Sequence, residues 1–74
     1  RRMKRTQAER TEATVTALVD AARELFATDG YESTSLAAVA VKAGVSKGAV
    51  YHHFGDGKRQ LFRAVFAQEV ERMA

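Results

Sequence analysis

Three glycine-marked breaks, at Asp29-Gly30, Gly44 and Gly55-Asp56-Gly57, divide this chain into four short apolar runs. Within each run the apolar residues recur at three- and four-residue steps, the spacing of one face of an α-helix. The first run is Val15, Leu18, Val19, Ala22, Leu25 and Phe26. Thr6 with Glu9 three residues on can form a capping box, and Thr11 is a second possible start. A helix is predicted near residues 8–28, stopped where Gly30 can take the left-handed conformation that ends helices. Ser33-Thr34-Ser35 then supplies capping residues ahead of Leu36, Val39, Ala40 and Ala43, a helix of about two turns closed by Gly44. Ser46 opens a third helix over 47–54, with Val50 and Phe54 as its inward side. Asp56 can cap the fourth, whose stripe is Leu61, Phe62, Val65, Phe66, Val70 and Met73. No alternation of period two marks a strand, so the chain reads as one all-α unit.

Length and composition narrow the function. Seventy-four residues make one small domain with a thin core. Cysteine is absent, which removes disulfide staples, thiolate metal sites and cysteine nucleophiles together. With 46% apolar and 28% charged residues and no proline, the balance suits compact helices rather than disorder. No apolar run reaches the ~18 residues of a membrane span, and no signal-peptide pattern opens the chain. An enzyme would need a pocket beyond the core, and no nucleophile, base and pocket are arranged together. No cofactor is expected. His52-His53 has no third ligand spaced for a metal, and Gly55-Asp56-Gly57-Lys58 lacks the length and hydroxyl of a phosphate-binding loop.

Charge is segregated along the chain. Arg1, Arg2, Lys4, Arg5 and Arg10 face only Glu9 in residues 1–10, followed by an acid-rich first helix. Segregated positive charge favours the approach of a polyanion. The basic arm is either a solvated tail or a segment that reaches a flanking minor groove through Arg1, Arg2, Lys4 and Arg5.

The stretch Ser35 to Phe54, short helix, glycine turn, short helix, has the form of a helix-turn-helix. There one helix braces another whose N-terminal residues enter the major groove of DNA. The outer residues of the third helix suit that task. Lys47 can pair with phosphate or guanine, Gly48 permits close backbone approach, and Ala49 has a methyl that can touch thymine. Tyr51 and His52 have polar tips able to reach phosphate or a base edge. Tight helix pairs also occur in all-α proteins that bind other proteins, which leaves a helical protein–protein module as a rival. Phe26, Phe54, Phe62 and Phe66 are expected in the core. His53 is expected to pack near Phe54 or touch a phosphate from the side. Val41 lies off the inward stripe, and exposed Val70 and Met73 are expected to mark where a second domain packs.

Thr34 to Phe54 closely resembles the DNA-binding domain of the TetR family of bacterial transcriptional regulators. Ala21 to Tyr31 looks like the end of that family's first helix and its turn, and Lys58-Arg-Gln-Leu-Phe62 like the start of its fourth. The resemblance covers about residues 11–70. It implies an all-α, homeodomain-like small helical bundle: a three-helix helix-turn-helix domain plus the start of a fourth helix. Residues 1–10 would be the arm, 11–74 the domain and 35–54 the helix-turn-helix. It further implies that Thr34 and Ser35 lie near the phosphate backbone. Lys47, Gly48, Ala49, Tyr51 and His52 would then meet bases and phosphates, and Lys58 a phosphate. The loop from Phe54 to Lys58 is one residue longer than is usual in the family. The partners implied are double-stranded DNA as a palindromic operator, a second copy of the protein, and a small-molecule effector. Both of the latter would engage a C-terminal domain expected to follow Ala74. A repressor in the bacterial cytoplasm is the implied role, with an activator or an architectural DNA-associated protein as the alternative.

Overall fold

Serine hydroxyls and left-handed glycines set where the helices begin and end. The computed structural model describes residues 7–73, with side-chain environments over residues 10–72. Four helices run through them: α1 (Gln7–Asp29), α2 (Leu36–Ala43), α3 (Lys47–His53) and α4 (Lys58–Met73). The first begins within the expected arm, so residues 7–10 are helical. Arg1, Arg2, Lys4 and Arg5 lie outside the described residues, as does the side chain of Met73.

Ser35 caps α2 by accepting a hydrogen bond from the Ala38 N–H at 3.0 Å, and Ser46 caps α3 by accepting from Ala49 at 3.1 Å. At the end of α2, Gly44 sits at φ 75° and ψ 30°. Its N–H donates to the Val41 carbonyl at 3.1 Å, and the Val45 N–H donates to Ala40 at 3.0 Å. This paired closure satisfies two terminal carbonyls and lets the chain turn sharply into α3. The entry to α4 differs from expectation. Gly57, at φ 74°, directly precedes that helix, and its carbonyl accepts from the Leu61 N–H at 3.1 Å. Gln60 Oε1 accepts from the Asp56 N–H at 3.1 Å, so the side chain that braces this terminus is glutamine. A side chain at Gly57 would lie 3.3 Å from Leu36 Cδ1, tying that turn to the start of α2.

The core is narrow and built of small side chains. Leu18, Val19, Ala21 and Ala22 of α1 meet Val39 and Ala40 of α2, Val50 of α3, Phe54, and Leu61 and Val65 of α4. Leu18, Val39, Val50 and Leu61 are fully buried, each worth about 1.5–3 kcal/mol of hydrophobic transfer. Ion pairs supplement the packing from α1: Lys42 Nζ lies 3.0 Å from Glu24, and Arg23 bridges Asp20 at 3.2 Å and Glu69 at 3.8 Å.

The aromatic expectation needs correction. Phe54 is buried and Phe26 half-buried, but Phe62 is 46% and Phe66 62% exposed. On α4, Leu61 and Val65 form the row that reaches the core. Phe62, Phe66 and Val70 form the next row, about 100° further round the helix. Phe62 still joins Phe26 and Tyr31 in an aromatic cluster with ring centroids 5.3–6.0 Å apart. Val41 is 80% exposed, beyond the partial exposure expected of it. No helix among the described residues is long and apolar enough to cross a membrane.

Candidate nucleic-acid interface

Helix α3 has seven residues, about 10 Å of helix, and its rotation in the fold is fixed by Val50 and Phe54. With each residue turning about 100°, the row opposite Val50 is Gly48 and His52. Lys47 and Tyr51 flank that row on one side, and Ala49 and His53 on the other. The burial pattern agrees. Lys47, Gly48 and His52 are exposed, Tyr51 is 49% exposed, and Ala49 and His53 are half-buried. A side chain placed at Gly48 would find only Ser46 Oγ, at 3.8 Å, so the backbone there is open to whatever approaches.

The Lys47–Tyr51 flank forms one wall of an open groove. Ser33, Ser35 and Ala37, at and before the start of α2, supply the facing wall, and Lys58 lies at its rim. Each capping serine uses an oxygen lone pair within the helix, which leaves its O–H to donate outward. The sequence marks Ser46 only as a cap, and this outward hydroxyl gives it a second capacity. On the other flank, His53 and His52 share a shallow depression with Arg10, Thr11 and Thr14 of α1. The two imidazole rings stand edge to face with centroids 4.9 Å apart. Among the described residues no group of three or more His, Cys, Asp or Glu is placed to hold a metal ion.

Two expected contact residues point elsewhere. The Thr34 side chain is buried, and its hydroxyl donates to the Gly30 carbonyl at 2.8 Å. Its role is to close the α1–α2 turn. The Lys58 ammonium donates to the carbonyls of Tyr31 at 2.7 Å and Thr34 at 3.0 Å, with Glu32 at 3.5 Å. It also lies 4.5 Å from the centre of the Tyr31 ring. An ammonium has three N–H groups, and three carbonyls surround this one. Lys58 is therefore a strut between the α1–α2 turn and α4, its ammonium held at the groove by backbone carbonyls of the turn. Lys58→Ala strands part-buried carbonyls and is expected to lower folding stability by about 1–3 kcal/mol. Below its melting range, the salt dependence of DNA binding should match that of the unaltered protein. A slope shallower by about one phosphate contact would return Lys58 to the interface.

The sequence itself has relatives of this kind. Residues 18–65, well over half of the chain, match the model for bacterial regulatory proteins of the tetR family. The HTH-type transcriptional repressor AcnR of Corynebacterium efficiens is 40% identical over 57 residues, 77% of this chain and 30% of that protein. The transposon Tn10 TetC protein of Escherichia coli is 42% identical over 64 residues, 86% of this chain and 32% of its own length. The HTH-type transcriptional regulator SrpR of Pseudomonas putida is 43% identical over 65 residues, 88% of this chain and 30% of that protein. The chain thus spans about a third of the length of the curated relatives it matches. No solved structure matches it significantly. With helix-turn-helix geometry and family match falling on the same residues, the chain belongs to the tetR family of bacterial regulatory proteins.

Proposed function

We propose that this chain is the sequence-specific DNA-binding part of a transcriptional repressor, with α3 seated in the major groove. The observation that carries the reading is the division of α3 into a buried Val50–Phe54 side and an open side of Lys47, Gly48, Tyr51 and His52. Ala49 stands at the edge of that open side, where its methyl can meet a thymine. Ser35 and Ser46 hydroxyls and Lys47 contact phosphate, while Lys58 and Thr34 hold the frame on which they stand. The division into an arm, a domain over 11–74 and a helix-turn-helix over 35–54 belongs to the same reading, with the arm's cations at Arg1, Arg2, Lys4 and Arg5. Two copies on a palindromic operator would present their α3 helices about one helical turn of DNA apart. Dimerisation and effector release would be properties of a full-length protein in the bacterial cytoplasm. Reporter transcription with and without that protein separates repressor from activator.

Gly48 gives the sharpest test, because it separates folding from binding. A methyl at this position meets only Ser46 Oγ, at an ordinary van der Waals distance of 3.8 Å, and alanine is favoured over glycine inside a helix by roughly 0.5–1 kcal/mol. Gly48→Ala is therefore expected to hold or raise the melting temperature. Operator affinity, read by fluorescence polarisation, should nonetheless fall several-fold, and more for Gly48→Leu. Unchanged affinity in both variants would remove α3 from the groove.

A further inference from the structure

We infer that the depression between α1 and the end of α3 is a second phosphate seat, one that grips the DNA strand opposite to the strand held by the Lys47–Ser35 groove. This rests on the reading of α3 as the groove-inserted helix and adds residues that the helix-turn-helix does not contain. Arg10 and Thr14 stand four residues apart on α1, with Thr11 beside them, so all three project from one patch. His52 and His53 close the patch from α3. The set comprises a guanidinium, two hydroxyls and two imidazoles, each of which keeps at least one N–H in any protonation state. Those are donors for an oxyanion, and Arg10 and Thr11 are exposed to meet one.

Geometry places the oxyanion on a particular strand. A helix with its side chains is about 10–12 Å across, and the major groove of B-DNA is about 12 Å wide. A helix seated there brings its two flanks against the two bordering sugar–phosphate backbones. Gly48 and His52 form the leading row of α3. The Lys47–Tyr51 flank belongs to the α2 groove, and the Ala49–His53 flank borders the α1 depression. The two seats therefore bracket the helix, and each meets a different strand.

The test uses the full-length protein and its selected operator, with each phosphate in turn replaced by an uncharged methylphosphonate. Within each half-site, unaltered protein should show two sensitive clusters, one on each strand. Arg10→Gln should abolish the sensitivity of one cluster and Lys47→Gln that of the other. Each variant should make the slope of log affinity against log salt shallower by about 0.9 per phosphate lost, with base preference intact. Arg10→Lys, which keeps the charge, should retain the slope. A single cluster per half-site, confined to one strand of that half-site, in the unaltered protein overturns the second seat without any variant. So does Arg10→Gln with wild-type slope and clusters while Lys47→Gln still loses its own, and the seating of α3 then stands. If neither variant alters slope or clusters, the seating of α3 falls as well.

Discussion

Leu18→Ala is expected to lower folding stability by roughly 2–5 kcal/mol, because the truncated side chain is fully buried at the centre of a core with little else to fill the space. A domain of this length holds roughly 0.05–0.15 kcal/mol per residue, so the loss is a large share of the total and unfolds much of the population on mild warming. Leu18 belongs to a core cluster drawn from all four helices and Phe54, in which small members such as Ala21, Ala22 and Ala40 have no side chain long enough to fill a void. Urea unfolding followed by far-UV circular dichroism is the appropriate measurement, since the chain has no tryptophan. Phe66→Ala is the control. It removes a larger side chain, but one 62% exposed, and should cost within about 0.5 kcal/mol as other surface substitutions do. Equal losses in the two variants would mean that the Phe66 row is buried and the core drawn wrongly.

The second large effect concerns binding. Lys47→Ala with Tyr51→Ala is expected to weaken binding by about a hundredfold per half-site, because two polar contacts at about 1.4 kcal/mol each multiply to that factor. Both residues lie on one flank of α3, four residues apart, and neither belongs to the core. The double variant should therefore melt close to the unaltered protein. Lys47→Ala alone should also flatten the salt dependence, as loss of a phosphate-neutralising cation does. Tyr51→Ala should lower affinity with the slope retained. An operator affinity unchanged in the double variant would refute the interface, and a collapse in stability would show that Tyr51 serves the fold.

Local chemistry makes the helices legible in the sequence. Ser35 and Ser46 begin α2 and α3, Gly44 ends α2 in the left-handed conformation, and Val50 with Phe54 fixes the inward side of α3. These signals lie within a few residues of what they control, so a sequence displays them directly. Lys58 was harder. Its acceptors at Tyr31 and Thr34 lie 27 and 24 residues away, and nothing near Lys58 announces them. Thr34 is opaque for the same reason in a shorter loop: a capping-rich Ser-Thr-Ser run does not reveal that the Thr34 hydroxyl is the one that turns inward. Phe62 and Phe66 belong to a stripe wider than the face that the core covers. Periodicity identifies an apolar stripe, but only the packing of α4 on α1 decides that Leu61 and Val65 lie inside and the adjacent row outside. The depression shared by Arg10, Thr14 and His53 likewise exists only once two distant helices meet.

Chemical-shift mapping of the isotope-labelled protein during titration with its selected operator tests the DNA-facing side of α3 most directly. The largest perturbations are expected at Lys47, Gly48, Ala49, Tyr51 and His52, with smaller ones at Ser35 and Ser46, while the α4 row of Phe62, Phe66 and Val70 stays still. Shifts concentrated on that α4 row, with the outer residues of α3 unmoved, would contradict it.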